Sequence, residues 1–175
     1  MRIRQRAAAV ATALACVASV AGPAAWAHSA SDAYLTITAD PGRSVLHAQW
    51  DVALRDLEFV LGIDDNGDGK ITWGELRRHQ ARIARYVYAR IKFSSGGKSC
   101  RVDPTGQQVD EHADGSYAVL LFEIRCDPGT PPTPSLDYTL FFDIDPSHRG
   151  ILVLHRGTRV STALLSPDNS RIELK

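Results

Sequence analysis

Two stretches near the start of the chain alternate between apolar and polar positions. Residues 33–38 (Ala-Tyr-Leu-Thr-Ile-Thr) and 44–52 (Ser-Val-Leu-His-Ala-Gln-Trp-Asp-Val) carry β-formers with partial period-two patterning, and Asp40-Pro41-Gly42 between them is a turn signal. They predict a first hairpin. The period then changes. From Ala53 to Ile63, Leu54, Leu57 and Leu61 fall at helical spacing. From Gly74 to Ile91, Leu76, Gln80, Ile83, Val87 and Ile91 share a mostly apolar helical face, with Arg77, Arg78, Arg82 and Arg85 largely opposite. After Phe93 the pattern reverts to strands and turns. Ser94-Ser95-Gly96-Gly97 is a turn, and strands are expected at 99–103, 107–112, 116–126, 136–144, 150–156, 158–165 and 171–174. The proline-rich stretch Asp127–Pro134 is read as an extended connection. The class predicted is α+β: a mainly antiparallel β-sandwich with a helix–loop–helix inserted after the second strand, at about 53–92.

The first 27 residues stand apart from this domain. Arg2, Arg4 and Arg6 precede an apolar run from Ala7 to about Val20, and Ala25 and Ala27 form an A-x-A site. The run is shorter than the roughly 20 residues a membrane span needs. The reading is a signal peptide over 1–27, cut between Ala27 and His28, leaving residues 28–175 as one exported domain, periplasmic or secreted. The leader holds three basic residues and no acidic ones, so the mature chain carries 17 basic against 20 acidic side chains, a net charge of −3. That balance gives no reason to expect a nucleic-acid partner. Cys16 leaves with the leader. Cys100 and Cys126 remain, and in an oxidising compartment they are expected to form one disulfide.

The chemistry concentrates between the two helical segments. The loop reads Asp64-Asp65-Asn66-Gly67-Asp68-Gly69-Lys70-Ile71-Thr72-Trp73-Gly74-Glu75. Asp64, Asn66 and Asp68 occupy positions 1, 3 and 5 of a twelve-residue EF-hand pattern, Gly69 position 6, Ile71 position 8 and Glu75 position 12. Ca²⁺ is a hard cation that takes six to eight oxygen ligands. Asp64, Asn66 and Asp68 would supply side-chain oxygens and Lys70 its carbonyl. Thr72 would give a hydroxyl or hold a bridging water, and Glu75 both carboxylate oxygens. Gly69 is expected at positive φ. Asp65 adds negative potential without a ligand role. No second loop of this kind occurs, so Ile71 lacks the usual pairing partner. A lone extracellular site is expected to bind Ca²⁺ at about 10⁻⁴–10⁻³ M.

Other groups of residues admit chemical readings. A free amine on His28 plus its imidazole would chelate Cu²⁺ or Ni²⁺, with a third nitrogen from His47, His79, His112, His148 or His155. Asp143, Asp145 and His148 admit a carboxylate–histidine reading, but a turn ended by Pro146 explains them equally well. No nucleophile–base pair or substrate signature stands out, and the domain is read as non-enzymatic.

Three segments carry a resemblance: Trp50–Glu58, Asp114–Val119 and Phe141–Gly150. Together they resemble the exported N-terminal region of HupE/UreJ-like bacterial membrane proteins, over most of residues 28–165. The resemblance implies a bacterial exported domain related to the outer domain of a membrane protein. This sequence ends at Lys175 without the transmembrane bundle of that group, so no transport function is carried over. It leaves, as an alternative to calcium binding alone, an interaction module for a membrane transporter or accessory complex.

Overall fold

A computed structural model describes residues 31–40, 45–128 and 133–175. The alternating segments form β1 (Asp32–Ala39) and β2 (Val45–Ala53), paired antiparallel with Leu35 opposite Trp50. The helical periodicity gives α1 (Leu54–Leu61) and α2 (Trp73–Tyr88). Leu54, Leu57 and Leu61 on α1 and Leu76, Ile83 and Val87 on α2 are buried, so each helix turns its apolar stripe inward. Eight more strands follow: β3 (Ile91–Ser95), β4 (Lys98–Ser99), β5 (Arg101–His112), β6 (Gly115–Arg125), β7 (Ser135–Tyr138), β8 (Arg149–Arg156), β9 (Arg159–Leu165) and β10 (Arg171–Glu173).

The strands make two sheets. One has six strands in the order β5-β6-β2-β1-β8-β9, the other four in the order β10-β7-β3-β4. A row of apolar residues, Leu120, Trp50, Leu35 and Leu152, crosses four neighbouring strands of the larger sheet in register. The smaller sheet packs on this face: the Trp50 ring lies 5.6 Å from Tyr138 on β7, and Phe122 lies 6.3 Å from Phe93 on β3. Both sheets and both helices contribute to one hydrophobic cluster. All strand pairs are antiparallel except β1 with β8. A parallel pair needs a long crossover, and here the helices and strands β3, β4 and β7 of the smaller sheet lie between its two members in the chain. Cys100 and Cys126 form a disulfide at the start of β5 and the end of β6.

Several element boundaries differ from the sequence reading. The second helix ends at Tyr88 instead of Ile91. Ile91 fits the helical series by spacing, but Ile91, Phe93 and Ser95 are buried alternately and pair with β7 as β3. Ser94 and Ser95 therefore belong to a strand, and only Gly96–Gly97 turn. The strands expected at 99–103 and 107–112 are one strand, β5, whose register slips between Pro104 and Gly106. Proline is tolerated there because β5 is an edge strand. The strand expected over 136–144 stops at Tyr138. Leu140 and Phe141 leave the sheet to enter the core, with Phe141 at φ 58°. The signal peptide with its Ala27–His28 cleavage site, the Pro41-Gly42 turn and residues 129–132 of the extended connection lie outside the described residues. No helix among the described residues is long and apolar enough to cross a membrane.

Candidate metal-binding loop

The loop from Asp64 to Glu75 is held at both ends by carboxylates. At its start, Oε2 of Glu58 on α1 accepts from the backbone N–H groups of Ile63 (2.5 Å) and Asp64 (2.7 Å). At its end, Thr72 is the N-cap of α2 and forms a capping box with Glu75. Glu75 Oε2 accepts from Thr72 N–H (2.8 Å) and Thr72 Oγ1 (2.6 Å), and Oε1 accepts from Asp65 N–H (3.0 Å). Glu75 thus reaches across the whole loop and is 2% exposed. These donors, the Thr72 hydroxyl foremost, hold its carboxyl below the usual glutamate range.

Between these anchors the loop curls on its own acids. Asp64 Oδ1 accepts from Gly67 N–H and Oδ2 from Gly69 N–H, both at 2.8 Å. Asn66 Oδ1 accepts from Asp68 N–H (3.0 Å), and Asp68 Oδ1 from Lys70 N–H (2.8 Å). Gly69 has φ +78°, the left-handed region where a side chain would be strained. A carboxylate has about four lone-pair sites, so one amide bond per oxygen leaves acceptor capacity on Asp64 and Asp68.

Charge is distributed unevenly along the loop. Asp65 takes two basic partners: Oδ2 pairs with Arg78 at 2.8 Å and Oδ1 lies 2.7 Å from His79 Nε2. These bonds, His79 first, lower its pKa. Among the described residues, no basic side chain pairs with Asp64, Asp68 or Glu75. The acid assigned no ligand role is neutralised by protein, and the three assigned ligand roles are not. With Asp64, Asp68 and Glu75 turned to N–H groups of the loop, no group of three or more His, Cys, Asp or Glu side chains among the described residues is gathered to hold a metal. Ile71 is half-buried against the core and joins no β-bridge. A groove of about 510 Å³ separates the loop from α1 and the β5–β6 turn, lined by Glu58, Asp64, Lys70 and Asp114 among others.

The other sequence candidates separate in space. Asp143 pairs with Arg90, and Asp145 accepts from the Ser147 amide and hydroxyl. His148 turns inward and is fully buried. Ser31 Oγ donates to Asp56 Oδ2 (2.8 Å), so its oxygen is free to accept from His148 Nδ1–H (2.7 Å). Tyr138 donates its hydroxyl to His148 Nε2 (2.9 Å). Burial, above all, pushes the His148 pKa down to about 4. Asp56 bonds to Ser31 and not to the imidazole, so the group is a buried polar chain tying β7 and the β8 approach to α1. Glu58 and this chain were not visible in the sequence: each acts through contacts that spacing does not reveal. His28 lies outside the described residues.

The sequence matches no model of a known protein family and no curated protein at significant similarity.

Proposed function

We propose that this chain is an exported, non-enzymatic domain that binds one Ca²⁺ in the Asp64–Glu75 loop. The observation that carries the reading is the placement of charge. Asp64, Asp68 and Glu75 lie within twelve residues and have no basic partner among the described residues, while Asp65 beside them has two. Carboxylates so close in sequence repel one another unless a cation joins them. The donor set fits Ca²⁺ by chemistry, because it is all oxygen and includes neither thiolate nor imidazole.

Asp64, Asn66, Asp68 and Glu75 would contribute side-chain oxygens, Lys70 its carbonyl, and Thr72 its hydroxyl or a bridging water. The bound ion would supply positive charge that offsets the repulsion among the acids. Glu58 and the Thr72–Glu75 capping box already fix the two ends of the loop to α1 and α2. A role for the ion as a staple between the helices follows more readily than a role as a switch. Export is supported by the Cys100–Cys126 disulfide, which persists in oxidising compartments.

The test is thermal unfolding with Ca²⁺, with Mg²⁺ and with chelator. A Ca²⁺-specific rise in midpoint that saturates supports the reading. At ten times Kd the ion would add about 1.4 kcal/mol. Equal midpoints in all three conditions would leave the loop an acidic turn.

A further inference from the structure

Among the described residues, β5 and β9 are the two outer strands of the six-stranded sheet, and their edges are built differently. The β5 edge carries Asp103, Pro104, Asp110 and Glu111 and a register slip, all devices that discourage pairing with another chain. The β9 edge reads Arg159-Val-Ser-Thr-Ala-Leu-Leu165, with no proline, no bulge and no charge after its first residue. Val160 and Leu164 are 56% and 55% exposed.

The backbone of β9 has a defined polarity. A two-residue turn, Gly157–Thr158, joins β8 to β9, with Arg156 opposite Arg159. Hydrogen-bonded and non-bonded pairs alternate away from such a turn. Arg159, Ser161, Ala163 and Leu165 therefore bond to β8, while Val160, Thr162 and Leu164 turn their N–H and C=O groups outward. Consistent with this, the Leu164 carbonyl accepts from Asn169 Nδ2 at 2.7 Å. The side chains of these outward residues lie on the face away from the smaller sheet. There Leu164 stands opposite Ile151, and Thr162 opposite Val153.

We propose that β9 is a dimer edge that pairs antiparallel with β9 of a second copy of this chain, about a two-fold axis at Thr162. The strand is self-complementary about that residue: Val160 and Leu164 lie two positions to either side. The axis sets Val160 against Leu164 of the second copy and Thr162 against its own mate. Leu164 is then flanked by Ile151 of its own chain and Val160 of the other, and Val153 borders the Thr162 pair. Cross-strand apolar pairs of this kind stabilise sheets. The Thr162 N–H and C=O groups bond to each other across the axis, and Leu164 N–H bonds to the Val160 carbonyl. Arg159 comes beside the 166–169 turn of the second copy, which carries Asp168. Neither Arg159 nor Asp168 has an ion-pair partner in its own chain among the described residues. A single-strand interface is small, so association at the weak end of the scale is expected.

The test combines sedimentation with register-specific crosslinking of the purified protein. Paired Thr162 residues would have Cα atoms about 5.5 Å apart, within disulfide range. Under mild oxidation Thr162→Cys should give a covalent dimer, and Val160→Cys, which faces Leu164, should not. Concentration-dependent dimerisation of the unmodified protein should disappear in Leu164→Lys while the thermal midpoint is retained. A monomer up to about 1 mM, a dimer that survives Leu164→Lys, or equal crosslinking at both positions would overturn the proposal.

Discussion

Thr72 and Glu75 bond to each other in both directions: the Thr72 hydroxyl donates to Glu75 Oε2 at 2.6 Å, and Glu75 N–H donates to Thr72 Oγ1 at 3.3 Å. The carboxylate proposed to close the ion site is therefore also the N3 half of the capping box of α2. One side chain ties the loop to the helix, so the proposed ion binding would be linked to helix stability at this point.

Thr72→Ala removes the N-cap and one donor to Glu75. It is expected to lower stability by about 1 kcal/mol, the usual cost of losing such a cap. Thr72→Ser should restore most of it. Urea unfolding in chelator isolates this effect from any ion. A Thr72→Ala protein as stable as the parent would mean that the capping box contributes nothing.

His148 makes stability pH-dependent. Its folded pKa is about 4 against an ordinary 6.5, so the folded state resists protonation that the unfolded chain accepts. Stability from this group is complete above pH 6.5 and is lost as the pH falls from 6.5 toward 4. The loss is roughly 3 kcal/mol, at about 1.36 kcal/mol per pH unit. Asp51 and Asp56 work against it. Burial raises both carboxyls, so as the pH falls the folded state takes up their protons more readily than the unfolded chain. Unfolding midpoints at pH 7.5 and pH 5 should differ in the parent protein, and the difference should shrink in His148→Phe. An unchanged pH dependence in that variant would contradict the assignment.

Gly150 sits where the chain passes beneath Tyr138. A Cβ there would lie 2.8 Å from Tyr138 Cζ and 3.2 Å from Leu165 Cβ. Gly150→Ala must displace a fully buried ring and is expected to cost about 1–3 kcal/mol, the range for overpacking. The shift should also disturb the Tyr138–His148 bond, read as a change in the His148 imidazole resonances.

Much of this fold is legible in the pattern of residues. β1, β2, α1, β6, β8 and β9 follow their periods because each has one buried face and a turn signal nearby. The chain is less readable where two periods fit the same residues. Ile91 completes a helical series from Leu76 and also begins the alternation Ile91, Phe93, Ser95; only pairing with β7 decides between them. Phe141 continues an apolar run, yet it takes positive φ and packs as a plug. The loop between α1 and α2 is legible because its Asp, Asn and Gly residues fall between two helical patterns. Glu58 and the Asp56–Ser31–His148–Tyr138 chain were not, since they join elements far apart in sequence.

The disulfide closes β5 to β6 across a sequence separation of 26 residues. In the chain-entropy account, reduction should cost roughly 3 kcal/mol. A urea midpoint unmoved by reductant, with both thiols shown to be free, would contradict this.

The most direct test of the central claim is a calorimetric Ca²⁺ titration of the purified protein beside Glu75→Gln. Glutamine retains the capping geometry but loses the charge and the bidentate carboxylate. One saturable site is expected in the parent, at about 10⁻⁴–10⁻³ M, and at least tenfold weaker binding in the variant with its helices intact. No heat of binding in the parent, or equal affinity in both proteins, would contradict it.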